Sequence, residues 1–496
     1  MMKTFDPISC RPDELPGRAA EAIAAGGRMQ MAYARHVEPG RLELRYLASR
    51  GAGEPFVMWQ VEPGEARVRS LASVSPLLGW YEREITDLFG LSFEGHPEPK
   101  RLVIHEGVDL DVPPFAPTFP QGRSLAVQGH PDPLPPMDNP DVQRLPWGPV
   151  RADVVESAEF VFYYIGEHII HFYPQLFFKH RGMEKRFEGL SPEAGVVLAE
   201  RVSGVDGFAH ALAFCQAVEA ASGCAPPRRA RQLRTLLAEM ERLYNHLHYL
   251  GHLAETTTLK VAAAEGKLLE ERVKQLNGRL TGSRFLRGLL IPGGLRRDID
   301  PGGWLGPALD TLRKEIGRFV GRLDHSNSYL DRLMTTGVLE KQVAFDQGAT
   351  GPVERASGLD RDLRRDHVYA AYDEVPLSVA GETAGDAHAR AKVRVAEIES
   401  SITLIKALLA RLEPGPVRAR RPSPVHGEGL GWAESPRGSL FYAVHFDAEG
   451  KLSRVKIKSP SFSNWRVFPF TVHGSNMMDY AINEASFGLT IAGCDR

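Results

Sequence analysis

The chain has 496 residues, 43% of them hydrophobic, and 60 Lys plus Arg stand against 62 Asp plus Glu for a formal charge of -2. That length is enough to bury the cores of two or three domains, and the near neutrality removes the electrostatic basis for binding nucleic acid or an anionic membrane. No apolar run approaches the roughly 20 residues that cross a bilayer, and the first fourteen residues lack the apolar core of a signal peptide, so a cytoplasmic chain with no direct membrane span is expected.

The segments 28–37, 41–48 and 56–61 alternate apolar and polar residues and are divided by Pro-Gly and Gly-rich turns. This pattern predicts antiparallel strands, with a helix over the Ala-rich 17–25, and together they make a small α+β domain over residues 1–105. At 79–97 comes Gly-Trp-Tyr-Glu-Arg-Glu-Ile-Thr-Asp-Leu-Phe-Gly-Leu-Ser-Phe-Glu-Gly-His-Pro. Helical spacing gathers Tyr81, Ile85, Leu88 and Phe89 into one apolar stripe and leaves Glu82, Arg83, Glu84 and Asp87 off it. Those charges read either as a solvated face with i,i+4 pairing, such as Arg83 with Asp87, or as a surface that docks another subunit. Residues 106–146 are dense in proline, which predicts an extended tether, or a strap laid across a partner, without helix or sheet.

A large domain follows over 147–496, strand-rich as far as Phe178 and then mostly helical. Leu233, Leu236, Leu237, Met240, Leu243, Leu247 and Leu250 recur at helical steps, a second helical pattern covers 388–412, and a strand pair is predicted at 440–446 and 452–458. The fold class expected is α+β, a small ferredoxin-like α/β sandwich followed by a mostly helical domain. Cys10, Cys215, Cys224 and Cys494 form no Cys-x-x-Cys pair, so neither a disulfide framework nor a zinc or iron-sulfur site is readable. His246, His248 and His252 share a helix, but His246 and His252 face apart, which argues against a metal cluster. No Gly-x-Gly-x-x-Gly follows a strand, and so no nicotinamide nucleotide site is expected. No cofactor and no metal are assigned to this chain.

Several ordered motifs carry a resemblance. Residues 79–97 are similar to the signature of the 30 kDa subunit of respiratory complex I, in which Glu-Arg-Glu, Asp-Leu-Phe-Gly and Glu-Gly-His-Pro occur in that order. His180-Arg181-Gly182-Met183-Glu184-Lys185, then Glu239, Arg242 and His246, Gly385-Asp386, Pro436-Arg437-Gly438 and Arg454 to Phe462 resemble the complex I 49 kDa subunit and the large subunits of nickel-iron hydrogenases. The chain thus resembles a fusion of the two, as in the large subunits of group 4 hydrogenase and formate hydrogenlyase complexes.

That resemblance implies several things. Ser203, Asp206, Thr490 and Gly493 stand at the four positions where a nickel-iron hydrogenase has cysteine. Hydroxyls, a carboxylate and a glycine do not replace thiolates around a soft metal, so the implied scaffold lacks its nickel-iron centre. Glu184 falls at the position of the proton-relaying glutamate, and Arg437 at that of the arginine above the metal. With Asp206, these are expected to form one buried charged cluster, either loading protons or merely filling the vacated cavity. His210 lies four residues after Asp206, and the pair suits proton transfer; alone, beside Phe208 and Leu212, it reads as a core histidine. Glu184, Asp206, His210 and Arg437 are the candidate catalytic residues, and Glu82, Arg83, Glu84 and Asp87 the candidate partner-binding ones. Where complex I has His-Pro-Ser-x-His-Gly at its quinone site, this chain has Gly148-Pro149-Val150-Arg151, which leaves quinone reduction unsupported. The implied partners are an iron-sulfur small subunit, which holds the clusters, and antiporter-like membrane subunits, with the chain held peripherally at the inner face of the cell membrane. The expected function is to couple electron transfer at the neighbouring iron-sulfur subunit to proton or ion movement; the alternative is a non-catalytic scaffold linking the soluble and membrane arms.

Overall fold

Alternation near the amino terminus produces a sheet, as expected. In the structure, a computed structural model that describes all residues except 1–5, 39, 65–66, 121, 123–124, 130–136, 151–155 and 421–424, β1 (Ile8–Ser9), α1 (Leu15–Ala24), β2 (Arg28–Glu38), β3 (Arg41–Ser49) and β4 (Val57–Val61) build a four-stranded sheet of order β1-β4-β3-β2. Strands β2, β3 and β4 pair antiparallel, while β1 runs parallel to β4. Arg151, singled out above, lies outside the described residues, as do Pro131, Pro133, Pro135 and Pro136.

Helix α2 (Gly79–Phe89) lies between β5 (Arg67–Arg69) and β6 (Ser92–Glu94), which pair in parallel. Its charged residues are not solvated: Glu82, Arg83, Glu84 and Asp87 are between 0% and 8% exposed. Glu82 accepts from Ser70 Oγ at 2.5 Å and the Leu71 N–H at 2.7 Å. Asp87 accepts the backbone N–H groups of Leu102, Val103 and Ile104. Arg83 donates to the Lys100 and Arg101 carbonyls and to Glu98 rather than to Asp87. The reason is that the loop after β6 folds back over the helix, and its buried backbone groups need partners. Of the three carboxylates, Glu84 reaches out of the small domain, and Arg83 also meets the Tyr173 hydroxyl of the large one.

The proline-rich segment also departs from expectation. Phe115 stacks on Phe89 with ring centroids 4.9 Å apart, and its N–H donates to the Leu88 carbonyl, so this part is a strap on the chain itself. Its end is a strand, β7 (Gln143–Trp147), which pairs with β8 (Glu159–Ile165) beside β9 (His168–Gln175). Because β7 is an edge strand, Pro146 is tolerated there.

The large domain continues through α3 (Met183–Arg186), α4 (Pro192–Ala199), α5 (Gly207–Ser222), α6 (Arg228–Thr256) and α7 (Lys260–Thr281). A short hairpin, β10 (Leu290–Ile291) and β11 (Gly294–Leu295), precedes α8 (Leu305–Asp324), α9 (Asn327–Leu333), α10 (Lys341–Gln347), α11 (Pro352–Ala356), α12 (Leu363–Asp366) and α13 (Ala387–Leu409). The expected strand pair is two-thirds of an antiparallel sheet of β12 (Glu428–Ser435), β13 (Gly438–Phe446) and β14 (Leu452–Lys458). Helices α14 (Pro460–Val467), α15 (Tyr480–Phe487) and α16 (Ile491–Asp495) close the fold, which is α+β.

Helix α5 lies flat on β12 because Gly429 and Gly431 carry no side chain. A Cβ at either position would sit 2.1 Å from a carbonyl oxygen of α5, that of Ala217 or Ala213. The other sheet, β2 to β4, is buried on both faces although alternation suggests one wet face. The hairpin β13–β14 covers it: Tyr33 Oη meets His445 Nε2 at 3.0 Å, Lys458 Nζ donates to Gln30 Oε1 at 2.7 Å, and Arg454 Nε donates to the Ala34 carbonyl. One apolar core therefore runs from Leu15 and Met29 in the small domain to Phe462 and Trp465 in the large one.

Candidate functional site

The loop before α5 and the segment before α16 come together. Thr490 caps α16, its Oγ1 accepting the Gly493 N–H at 3.0 Å. A Cβ on Gly493 would lie 2.5 Å from Thr490 Oγ1, 3.3 Å from Ser461 Oγ and 3.5 Å from Ser203 Oγ. Ser203, distant in sequence, thus meets Thr490 and Gly493 at one spot. Glu156 holds the segment in place by accepting the N–H groups of Ile491 and Ala492. A nickel-iron group held by thiolates does not fit this donor set: one hydroxyl is occupied as a helix cap, the glycine offers no donor, and Asp206 is a hard ligand.

Asp206 immediately precedes α5, but its side chain caps nothing. The free N–H groups of Phe208 and Ala209 are instead taken by Glu241 from α6, at 2.8 and 2.9 Å. Burial, and then the neighbouring Asp206 charge, push the Glu241 carboxyl up to about 8, against the opposing pull of those two N–H groups. Asp206 Oδ1 lies 3.7 Å from His210 Nε2, and neither atom has a hydrogen-bond partner. His210 is fully buried, and its Nδ1 meets Tyr442 Oη at 2.8 Å. Burial holds the imidazole below its usual range despite the nearby Asp206. Two carboxyl groups and a histidine are thus gathered in the buried interior, where Glu241 is raised far enough to keep a proton at neutral pH. Such a group can hold and release a proton when the local charge changes.

Arg437 sits in the turn between β12 and β13. Nε donates to the Gly488 carbonyl at 2.6 Å and Nη1 to Asn245 Oδ1 at 2.8 Å. The Asn245 amide also donates to the Val205 carbonyl, one residue before Asp206. Burial lowers the Arg437 guanidinium, and Asp206 is the largest influence opposing it. The expected direct pairing of Arg437 with Asp206 is absent, and Asn245 instead connects Arg437 to the Val205 carbonyl.

Glu184 does not join this group. It is buried against β14 and the chain's last arginine: Arg454 Nη2 lies at 2.8 Å, Lys456 Nζ at 3.1 Å and Arg496 Nη1 at 3.2 Å, and the Ile457 N–H donates to it. Burial alone would raise its carboxyl, but Lys456, Arg454 and Arg496 hold it down at about 2. Glu84 of α2 shares two of these cations, at 2.6 Å from Lys456 and 2.9 Å from Arg496. The single cluster expected from sequence is therefore two, because the cations of β14 are nearer to Glu184 than Arg437 is. Glu184 is a permanent anion near neutrality rather than a titrating relay. Sequence reasoning misses Glu241, Tyr442 and Asn245. The signal for Glu241 is an acidic residue on a leucine-rich helix with Leu237 and Asn245, no base, four positions away.

A small α+β domain packed against a mostly helical large domain, with buried polar side chains between the α5 and α16 ends, fits a hydrogenase-like large subunit fused to a complex I-like domain. Residues 23–124 match the respiratory-chain NADH dehydrogenase 30 Kd subunit, 181–269 the nickel-dependent hydrogenases, and 268–426 with 420–496 the respiratory-chain NADH dehydrogenase 49 Kd subunit. Formate hydrogenlyase subunit 5 of Escherichia coli (strain K12) is 30% identical, over 85% of this chain and 75% of its own length. Hydrogenase-4 component G of the same organism is 30% identical, over 84% of this chain and 74% of its own length. The fused C/D protein of the NADH-quinone oxidoreductase of Rhodopseudomonas palustris (strain BisB18) is 28% identical, over 87% of this chain and 82% of its own. Among solved structures, one from the membrane-bound sulfane sulfur reductase, an archaeal respiratory membrane complex, superposes with a TM-score of 0.68 at 28% identity, covering 73% of this chain and all of that one. The chain belongs to the family of complex I 30/49 kDa and nickel-iron hydrogenase large subunits. No helix among the described residues is long and apolar enough to cross a membrane.

Proposed function

We propose that this protein is the large subunit of a membrane-associated, complex I-like or hydrogenase-like oxidoreductase complex, and that it carries no nickel-iron centre of its own. In this reading an iron-sulfur small subunit docks beside the α5 and α16 ends, and antiporter-like subunits form the membrane arm. Electron arrival at the neighbouring cluster changes the charge near Asp206, Glu241 and His210, which take up and release a proton in response. The observation that carries the reading is the meeting of Ser203, Thr490 and Gly493, none of which offers a soft donor, in a domain that also buries a carboxyl pair, Asp206 and Glu241, one of which is pushed up to about 8. In support, the chain spans three quarters or more of relatives whose names place them in formate hydrogenlyase and NADH-quinone oxidoreductase.

A second reading, a scaffold between the soluble and membrane arms, is favoured by the fixed ion cluster of Glu84, Glu184, Arg454, Lys456 and Arg496, which fastens the domains and in which Glu184 does not titrate near neutrality. Purification of the intact complex tests both. Elemental analysis is expected to find iron with no stoichiometric nickel, and subunit identification to find an iron-sulfur protein and membrane subunits; nickel at one atom per chain would overturn the first reading. Asp206→Asn in that complex is expected to abolish coupled proton movement while leaving assembly intact. Unchanged coupling would favour the scaffold.

A further inference from the structure

A small cavity lies where β2 and α2 of the small domain meet β14 and α14 of the large one, lined by Arg28, Tyr81, Gly348, Lys458, Ser463 and Arg466 among others. Its volume is about 10 Å³, room for a single small group. The charged side chains that line it are all cations: Arg28, Lys458 and Arg466.

Their pairing is incomplete. Arg28 gives Nη1 to Glu354 and Nη2 to the Ala349 carbonyl, but its buried Nε–H has no acceptor. Arg466 gives Nη1 to the Pro76 carbonyl, while its buried Nη2 has none, and no carboxylate among the described residues lies within ion-pair distance of it. Lys458 donates only to the neutral Gln30 and Ser439 side chains. The Tyr81 hydroxyl lies beside Ser463 and also makes no well-formed hydrogen bond. Burial, opposed by Tyr81 and reinforced by the Arg28 charge, brings Arg466 down to about 9, and burial with the same charge holds Lys458 well below its usual range. Of the two guanidinium groups, Arg28 has a carboxylate partner in Glu354 and Arg466 has none among the described residues.

We propose that this cavity is a halide site, in which chloride is held by Arg28 Nε–H, Arg466 Nη2–H and the Tyr81 hydroxyl and fastens the seam between the two domains. A water molecule would accept hydrogen bonds from these donors but leave the guanidinium of Arg466 without a counter-charge, and a buried unpaired charge is strongly disfavoured. The confined space between these donors favours the smallest common anion, chloride, over phosphate or a carboxylate.

The test uses the full-length chain, dialysed into sodium gluconate and titrated with sodium bromide at constant ionic strength. A saturable rise in Tm of about 1 to 3 °C is expected, because a ligand that binds only the folded state stabilises it. Arg466→Met should remove the response. Tyr81→Phe, which keeps the shape and is expected to fold in any case, should weaken it. Crystals soaked in bromide should show an anomalous peak between Arg28 and Arg466. Equal Tm in both salts, an unchanged bromide response in Tyr81→Phe and Arg466→Met, or a cavity without anomalous signal would overturn the proposal.

Discussion

At the scale of single residues, the pocket beside α5 turns on Glu241. Its carboxyl is raised to about 8, so in the folded protein it keeps a proton that the unfolded chain releases above the ordinary glutamate value. The sign follows: the contribution to stability is complete below that ordinary value and is lost as pH rises toward about 8. Glu241→Gln cannot titrate, so the stability of wild type relative to this variant is expected to fall with rising pH, by up to about 1.4 kcal/mol per pH unit between about 5 and 8. Urea unfolding at a series of pH values measures it, and a difference that stays flat over this range would show an ordinary, ionised Glu241. The proximity of Asp206 and His210 was legible because i,i+4 spacing on a helix is local. Glu241 was not, since a side chain from another helix takes the capping position that Asp206, at the α5 boundary, would ordinarily fill.

At the scale of elements, α2 shows what amphipathic patterning leaves open. Its apolar stripe was readable, but the pattern cannot distinguish water from a folded-back loop or a second domain as the medium over the polar face. Glu84 meets Lys456 and Arg496 there, in a buried group of three cations and two carboxylates. Glu84→Gln leaves those cations with one carboxylate and is expected to cost about 3 to 5 kcal/mol of stability. Adding Lys456→Met should recover part of that loss, and a double-mutant cycle by urea denaturation measures the coupling. Losses that simply add would mean the two side chains do not act on one another. The strands over 28–61 were legible because their two-residue period is strong; their burial on both faces was not, because the covering hairpin β13–β14 is some four hundred residues away in the chain.

At the scale of the whole molecule, composition and motif order indicated two domains, whereas the apolar core crosses their boundary without a break. The chain is therefore expected to unfold in one cooperative transition, with far-UV circular dichroism coinciding with fluorescence from Trp59 in the small domain and Trp465 in the large one. An early transition reporting Trp59 alone would show that the small domain comes away by itself. The halide site and the ion cluster of Glu84 and Glu184 both lie on this seam, so ionic conditions should move the whole transition and not a part of it.

The contact of α5 with β12 has one more consequence. Gly429 and Gly431 work as a gauge of zero thickness: they set how far the helix stands from the sheet. Gly431 pairs with Tyr442 across the sheet, and Tyr442 in turn bonds His210 on the helix, so the same spacing fixes the reach between hydroxyl and imidazole. A methyl group at either glycine would lift the helix as a rigid lever and carry Asp206 and His210 away from Tyr442 together. The alignment of His210 with Tyr442 is therefore machined into two positions that have no side chain of their own.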